Sequence, residues 1–233
     1  NQGVIYTSAF TGINWSWKRA RGYFDVVAYQ GTGSARTVPH GLTVPPEMMW
    51  VKRRDDGHTY AWATYVEPLG AGKVLFLERS DTGLSPSDIS PSSNYFWGDG
   101  TNPTAPTSDV FTLGTNERVN ASGGTYIAYL FATVAGVSKV GSFTQSGATN
   151  VDCGFTGSTP ALIILKRTDS TGDWITFDSA RGIVAGNDKS LDLNNTDAEV
   201  TNADVVDPYS GGFATTSSLT NGDYIFYAVA ATS

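Results

Sequence analysis

Two short stretches of the chain are apolar without a break, Met48-Met49-Trp50-Val51 and Leu162-Ile163-Ile164-Leu165, and a Lys-Arg pair closes each of them. Such runs are too short for helices. Bounded by Pro on one side and charge on the other, they predict strands covered on both faces. Two further stretches, Thr125 to Ala132 and Asp223 to Ala230, alternate aromatic with small or aliphatic residues. That period of two predicts strands with two differently packed faces, placed centrally in a sheet.

These four stretches are two pairs, because the chain repeats itself over about a hundred residues. Tyr29 through Gly33, Val38, Gly41-Leu42 and Pro46 to Arg53 matches Phe143 through Gly147, Val151, Gly154-Phe155 and Pro160 to Arg167. After each Lys-Arg pair come a polar stretch with Asp and an aromatic strand, Trp62 to Tyr65 in one copy and Trp174 to Phe177 in the other. The expected organisation is residues 1–22 as a leader from a preceding part, repeat one over 23–135 and repeat two over 136–233. The junction, Val134 to Ser138, is short and lacks a Pro/Ser-rich linker, so the copies are expected to touch.

Composition fixes the class. Twenty-six Gly, ten Pro and 12% aromatic residues against 16% charged suit many short strands joined by tight turns. The fold class is therefore all-β, two tandem homologous antiparallel β-sandwich-like units. A net charge of -7 repels phosphate backbones and argues against nucleic acid as a partner. No stretch approaches the roughly twenty apolar residues of a spanning helix, so membrane insertion is not expected. The chain starts at Asn1 without a signal-peptide pattern and is expected to come from a processed or longer polypeptide. The lone cysteine, Cys153, rules out an internal disulfide and reads as a small buried apolar residue, a catalytic thiol being the minor alternative.

Repeat one carries an insertion over 80–108, rich in Pro, Ser, Thr, Asn and Asp, which predicts a surface loop. Inside it lie three adjacent aromatics, Tyr95, Phe96 and Trp97. They read either as a plug docking the loop onto the body or as an exposed platform for stacking a sugar or protein. With the hairpin Asp56 to Tyr60, which includes His58 and Tyr60, they form the candidate binding residues.

Reaction chemistry finds little support. Neither His40 nor His58 has a metal-ligand spacing, and His40 aligns with Cys153, which marks a structural position. No Gly-x-Ser-x-Gly elbow is present. The acids do not form an evident pair for glycoside hydrolysis; most Asp residues stand beside Gly, Ser, Thr or Asn, where they cap turns. Asp169 to Asp173 is only faintly like a calcium loop and reads as a hairpin. Gly31 to Gly33 and Ser122 to Gly124 precede no helix and read as turns. No catalytic residue, metal site or cofactor is assigned, and the chain is not expected to be an enzyme.

The blocks Trp17 to Ala20, Gly22 to Val27, Pro46 to Arg54, Gly123 to Ala132 and Asp178 to Gly182 resemble a domain recurrent in structural proteins of tailed bacteriophages, many of them marine, in particular the C-terminal region of tail-fibre-like virion proteins. The resemblance covers nearly the whole chain and carries no catalytic residues. It implies a virion protein made in the host cytoplasm and carried on the extracellular particle. The expected role is a tail-fibre or tail-tip module in host attachment, assembling with other virion proteins and as a homo-oligomer, a trimer being one form. The partner on the host would be a surface glycan or protein. The alternatives are a capsid decoration or architectural virion protein, and a glycan depolymerase.

Overall fold

The computed structural model describes residues 13–55, 60–82, 96–157 and 159–231. In the N-terminal repeat the strands are β1 (Phe24–Gln30), β2 (Arg36–Pro39), β3 (Met48–Arg53), β4 (Ala63–Val66), β5 (Leu75–Phe76), β6 (Val110–Leu113) and β7 (Thr125–Phe131), with a one-turn helix α1 (Glu117–Asn120) before β7. The C-terminal repeat contains β8 (Ser138–Gln145), β9 (Thr149–Asp152), β10 (Pro160–Arg167), β11 (Trp174–Asp178), β12 (Asp188–Asp192), β13 (Val200–Ala203), β14 (Val206–Tyr209), β15 (Gly212–Thr215) and β16 (Gly222–Ala230). The fold is all-β with antiparallel pairing throughout.

Sheet order exposes the repetition. The large sheet of the first half runs β1-β7-β3-β4-β5, and that of the second runs β8-β16-β10-β11-β12-β13. The first five positions correspond one to one, and β13 is an addition at the edge. Each half also has a small sheet, β2-β6 in one and β9-β15-β14 in the other. Register repeats as well: Arg53 pairs with Tyr126, and Arg167 with Tyr224. On the neighbouring strand Tyr29 stacks on Tyr126 with ring centroids 5.1 Å apart, and Phe143 stacks on Tyr224 at 5.5 Å. The closing strands β7 and β16 are interior strands, as their alternation predicts.

Why the two apolar runs need no polar face is visible in how their residues are shared. Met49 and Val51 enter a core under the small sheet of their own half, while Met48 and Trp50 face the other half. Ile163 and Leu165 likewise enter the second repeat's own core, and Leu162 and Ile164 turn outward to meet the first repeat. Thus the two large sheets pack against each other through a third core, which holds Phe24, Met48, Trp50, Val66, Leu75 and Phe131 from one half and Val140, Leu162, Ile164, Trp174, Ile225 and Tyr227 from the other. An antiparallel sheet usually shows one face to water; here both faces are covered at the centre of each large sheet, the edge strand β13 staying exposed, and every side chain along β3 from Met48 to Val51 is buried. Burying each of these large side chains contributes about 1.5–3 kcal/mol relative to exposure.

Polar links tie the halves further. The Lys166 ammonium, buried in this seam, donates to the main-chain carbonyls of Ser80 (3.0 Å) and Gly172 (2.7 Å), and the Gly172 N–H also donates to Ser80. Within the first repeat, Lys52 donates to the main-chain carbonyl of Tyr60. An Arg-x-Asp ion pair closes two strand ends, Arg53 with Asp55 and Arg167 with Asp169, and recurs as Arg79 with Asp81 past the turn after β5, at 2.7–2.8 Å.

Turns behave as the composition suggests. Gly31 exchanges main-chain hydrogen bonds with Gly123 and Gly124, and a Cβ at Gly31 would stand 2.2 Å from the Ala121 carbonyl oxygen. No residue with a side chain fits there. Residues 13–22 belong to the packed body despite reading as a leader: Trp15 and Trp17 lie against the shared core, and the Trp15 indole donates to Asp178 of the second repeat. Among the described residues no helix is long and apolar enough to cross a membrane.

Candidate functional site

The aromatic loop divides between inside and outside the described residues. Phe96 and Trp97 are fully buried in the first repeat's core, where Phe96 meets Phe76 edge-on and Trp97 meets Tyr65. They are the plug and not the platform, because a ring with no exposed face cannot stack on a ligand. Tyr95 and His58 lie outside the described residues. Tyr60 is half-buried, its ring covered by the guanidinium groups of Arg53 and Arg118 at 5.5 and 5.6 Å. A hydrogen bond to Glu117, helped by burial, pushes its hydroxyl pKa up.

The remaining chemistry-bearing side chains are tied into local structure. Cys153 is buried, and desolvation, with the Asp152 charge behind it, pushes its thiol up to about 12. The His40 ring accepts at Nδ1 from the Leu42 N–H and meets the Thr107 carbonyl at Nε2. Asp99 accepts from the N–H groups of Thr101 and Asn102, and Asp152 accepts from Gly154, which is the turn-capping role expected of such acids. Asp169 is paired with Arg167 and Asp173 accepts from Asn194, so the loop between β10 and β11 is a braced hairpin. Among the described residues no group of three or more His, Cys, Asp or Glu converges as metal ligands would.

Two concave regions stand out. The larger, about 530 Å³, lies between the turn at Glu67–Leu69 and the face of β8, bordered by Glu47, Glu67, Lys139 and Asp152. Its Glu47 carboxylate is occupied, accepting from both the hydroxyl and the N–H of Thr133.

The second is a cavity of about 310 Å³ whose wall is made of rings: Trp15, Trp17, Trp50, Trp62, Tyr129 and Phe131, with Leu77. Four of the chain's six tryptophans meet here. Trp50 and the two β7 residues, Tyr129 and Phe131, point to the same face because they sit at matching phases of paired strands. Trp62 enters from the start of β4 and Leu77 from the end of β5, joined by a hydrogen bond from the Leu77 N–H to the Trp62 carbonyl. Trp15 and Trp17 come from the extended N-terminal segment, where Ser16 and Lys18 between and after them face water. Trp15 is pinned by Asp178 and by the Arg181 guanidinium 5.9 Å from its ring, and Arg181 in turn pairs with Asp178 and Glu199.

A family model described as "Domain of unknown function (DUF7483)" matches residues 16–232. The chain belongs to the DUF7483 family. The matched span takes in both repeats together with Trp17, so the unit of the DUF7483 family includes the back-to-back pair. No curated protein and no solved structure matches the chain.

Sequence reasoning singled out the DUF7483 chain's aromatic loop and missed the ring-lined cavity. One local signal was present, the spacing Trp15-Ser16-Trp17-Lys18, which puts two indoles on one side of an extended segment. Nothing local connects it to Trp62 or Tyr129.

Proposed function

We propose that the chain is a non-enzymatic structural module of a tailed-bacteriophage virion, a tail-fibre or tail-tip component that takes part in attachment to the host surface. The single observation behind the non-enzymatic part is the fate of the polar groups: His40, Cys153 and most of the described acids, among them Asp25, Asp99, Asp152, Asp169, Asp173, Asp178 and Asp188, are committed to turns, ion pairs or the core. A shared core between two sandwiches makes a rigid body, a frame on which a surface site keeps its geometry. The virion assignment rests on the sequence blocks that resemble tail-fibre-like proteins, and the ring-lined cavity is the best-formed candidate for contact with the host. Other virion proteins and further copies of this chain are the partners this reading implies.

The test is competition and location together. Purified protein should block adsorption of the parent phage to its host in proportion to its concentration, and antibody labelling should mark the tail. Labelling on the head, with no competition, favours capsid decoration and ends the attachment reading. Release of reducing sugar from host polysaccharide would favour a depolymerase.

A further inference from the structure

The cavity's wall is unusual in what it lacks. Its five indole and phenol rings, of Trp15, Trp17, Trp50, Trp62 and Tyr129, bring no carboxylate, amide or charged group into the lining. The walls stand at contrasting angles: Trp17 and Trp50 are at 89° with centroids 6.2 Å apart, whereas Trp62 and Tyr129 are stacked at 23° and 5.9 Å. At about 310 Å³ the space is at the small end for a ligand pocket.

A pyranose buried there would lose water from its hydroxyls with few protein groups to replace it, at a cost for each unpaired group. The buried indole N–H of Trp50 has no acceptor among the described residues. A quaternary ammonium such as the trimethylammonium head of choline has no N–H or O–H to leave unsatisfied on its cationic head. Its charge is attracted by the faces of several rings, with Trp the strongest partner.

Charge agrees. The Glu78 carboxylate accepts from the Trp62 main-chain N–H through both oxygens, at 2.8 and 3.0 Å, so a negative group stands behind one wall. The corresponding position in the second repeat, where Trp174 donates its N–H, is the neutral Asn194. Arg181, 5.9 Å from the Trp15 ring, is balanced by Asp178 and Glu199, and Lys18 beside Trp17 is exposed. The chain as a whole carries -7, which favours a cationic ligand.

We propose that this cavity is an aromatic cage for a trimethylammonium group of the choline type displayed on a surface. Its role in host contact rests on the attachment reading above, whereas the binding chemistry does not. Titration of the full chain with choline and tetramethylammonium, followed by tryptophan fluorescence and calorimetry, should give saturable binding. The neutral isostere 3,3-dimethylbutan-1-ol should bind at least about tenfold more weakly. Equal affinity for the isostere, or binding of methyl glucoside in place of choline, would overturn the proposal. Trp62→Leu changes a half-exposed ring and should weaken choline at least about tenfold; Glu78→Gln keeps an acceptor for the Trp62 N–H and should weaken it by about threefold, less so at high salt. Thermal melts confirm that both variants fold, and unchanged affinity in both folded variants would also refute the cage. Choline-agarose and phosphatidylcholine vesicles separate a polymer-borne from a lipid-borne headgroup; retention on either supports the proposal and on neither overturns it. Failed choline binding with intact competition for adsorption would remove the cage and leave the attachment reading standing.

Discussion

The indole Nε1 of Trp174 donates a hydrogen bond of 3.0 Å to the main-chain carbonyl of Phe76, across the boundary between the two repeats. Its counterpart, Trp62, occupies the same place in the first repeat, and the strands around both are wired alike. The Leu77 N–H donates to the Trp62 carbonyl, and the Leu193 N–H to the Trp174 carbonyl. Yet Trp174 is fully buried in the shared core and Trp62 is a half-exposed cavity wall. Duplication supplied the residue twice, and asymmetric packing assigned it two roles.

Trp174→Phe keeps an aromatic ring but takes from the Phe76 carbonyl one of its two donors, leaving the Arg79 N–H, and opens a gap where the indole was. A loss of about 1–3 kcal/mol in unfolding free energy is expected, measured by guanidinium denaturation. Wild type should unfold in one transition, since neither large sheet can lose the other without exposing the shared core. Two well-separated transitions in the wild type would contradict that coupling.

Residues 136–233 produced alone would present Val140, Leu162, Ile164, Trp174, Ile225 and Tyr227 to water on one face of a sheet. Such a patch drives association. Size-exclusion chromatography with light scattering should find dimers or aggregates; a folded monomer at high concentration would show that the seam is dispensable.

Burial lowers the Lys166 amine from 10.5 to about 8, partly opposed by Asp81 and Asp173. Between those values the unfolded chain keeps a proton that the folded chain has released, so this group's contribution to stability rises with pH across the window. Below pH 8 the cost of holding a buried ammonium is fully present. The stability of wild type relative to Lys166→Met should therefore increase from pH 8 to 10.5; a constant difference in denaturation series across that range would be the contrary result.

Cys153, with its thiol pushed up to about 12 by burial, has almost no thiolate at neutral pH. The native protein should leave Ellman's reagent uncoloured over many minutes and release one equivalent once unfolded in guanidinium. A fast native reaction would show that the site opens.

Phe96→Ala or Trp97→Ala removes a fully buried ring and should cost about 3–5 kcal/mol. Any loss of host adsorption in these variants should follow the fraction unfolded, read by circular dichroism at the assay temperature. Lost adsorption at full folding would give the loop a direct role in contact.

Much of the architecture was legible because it is written in local periodicity. The runs at Met48 to Val51 and Leu162 to Leu165 and the alternation of Thr125 to Ala132 determine strand type, burial on both faces and the duplication, since neighbouring side chains on a strand point to opposite sides whatever surrounds them. Turn chemistry was legible for the same reason: an Asp two or three residues before a free N–H caps it locally. What covers the second face was not written there. Only the tertiary structure decided that the covering layer is the other repeat, that Phe96 and Trp97 turn inward, and that Trp15, Trp17, Trp62 and Tyr129 enclose one space. Those residues are far apart in sequence, and their convergence depends on the sheet order and on how two sheets seat against each other, which no short pattern of residues encodes.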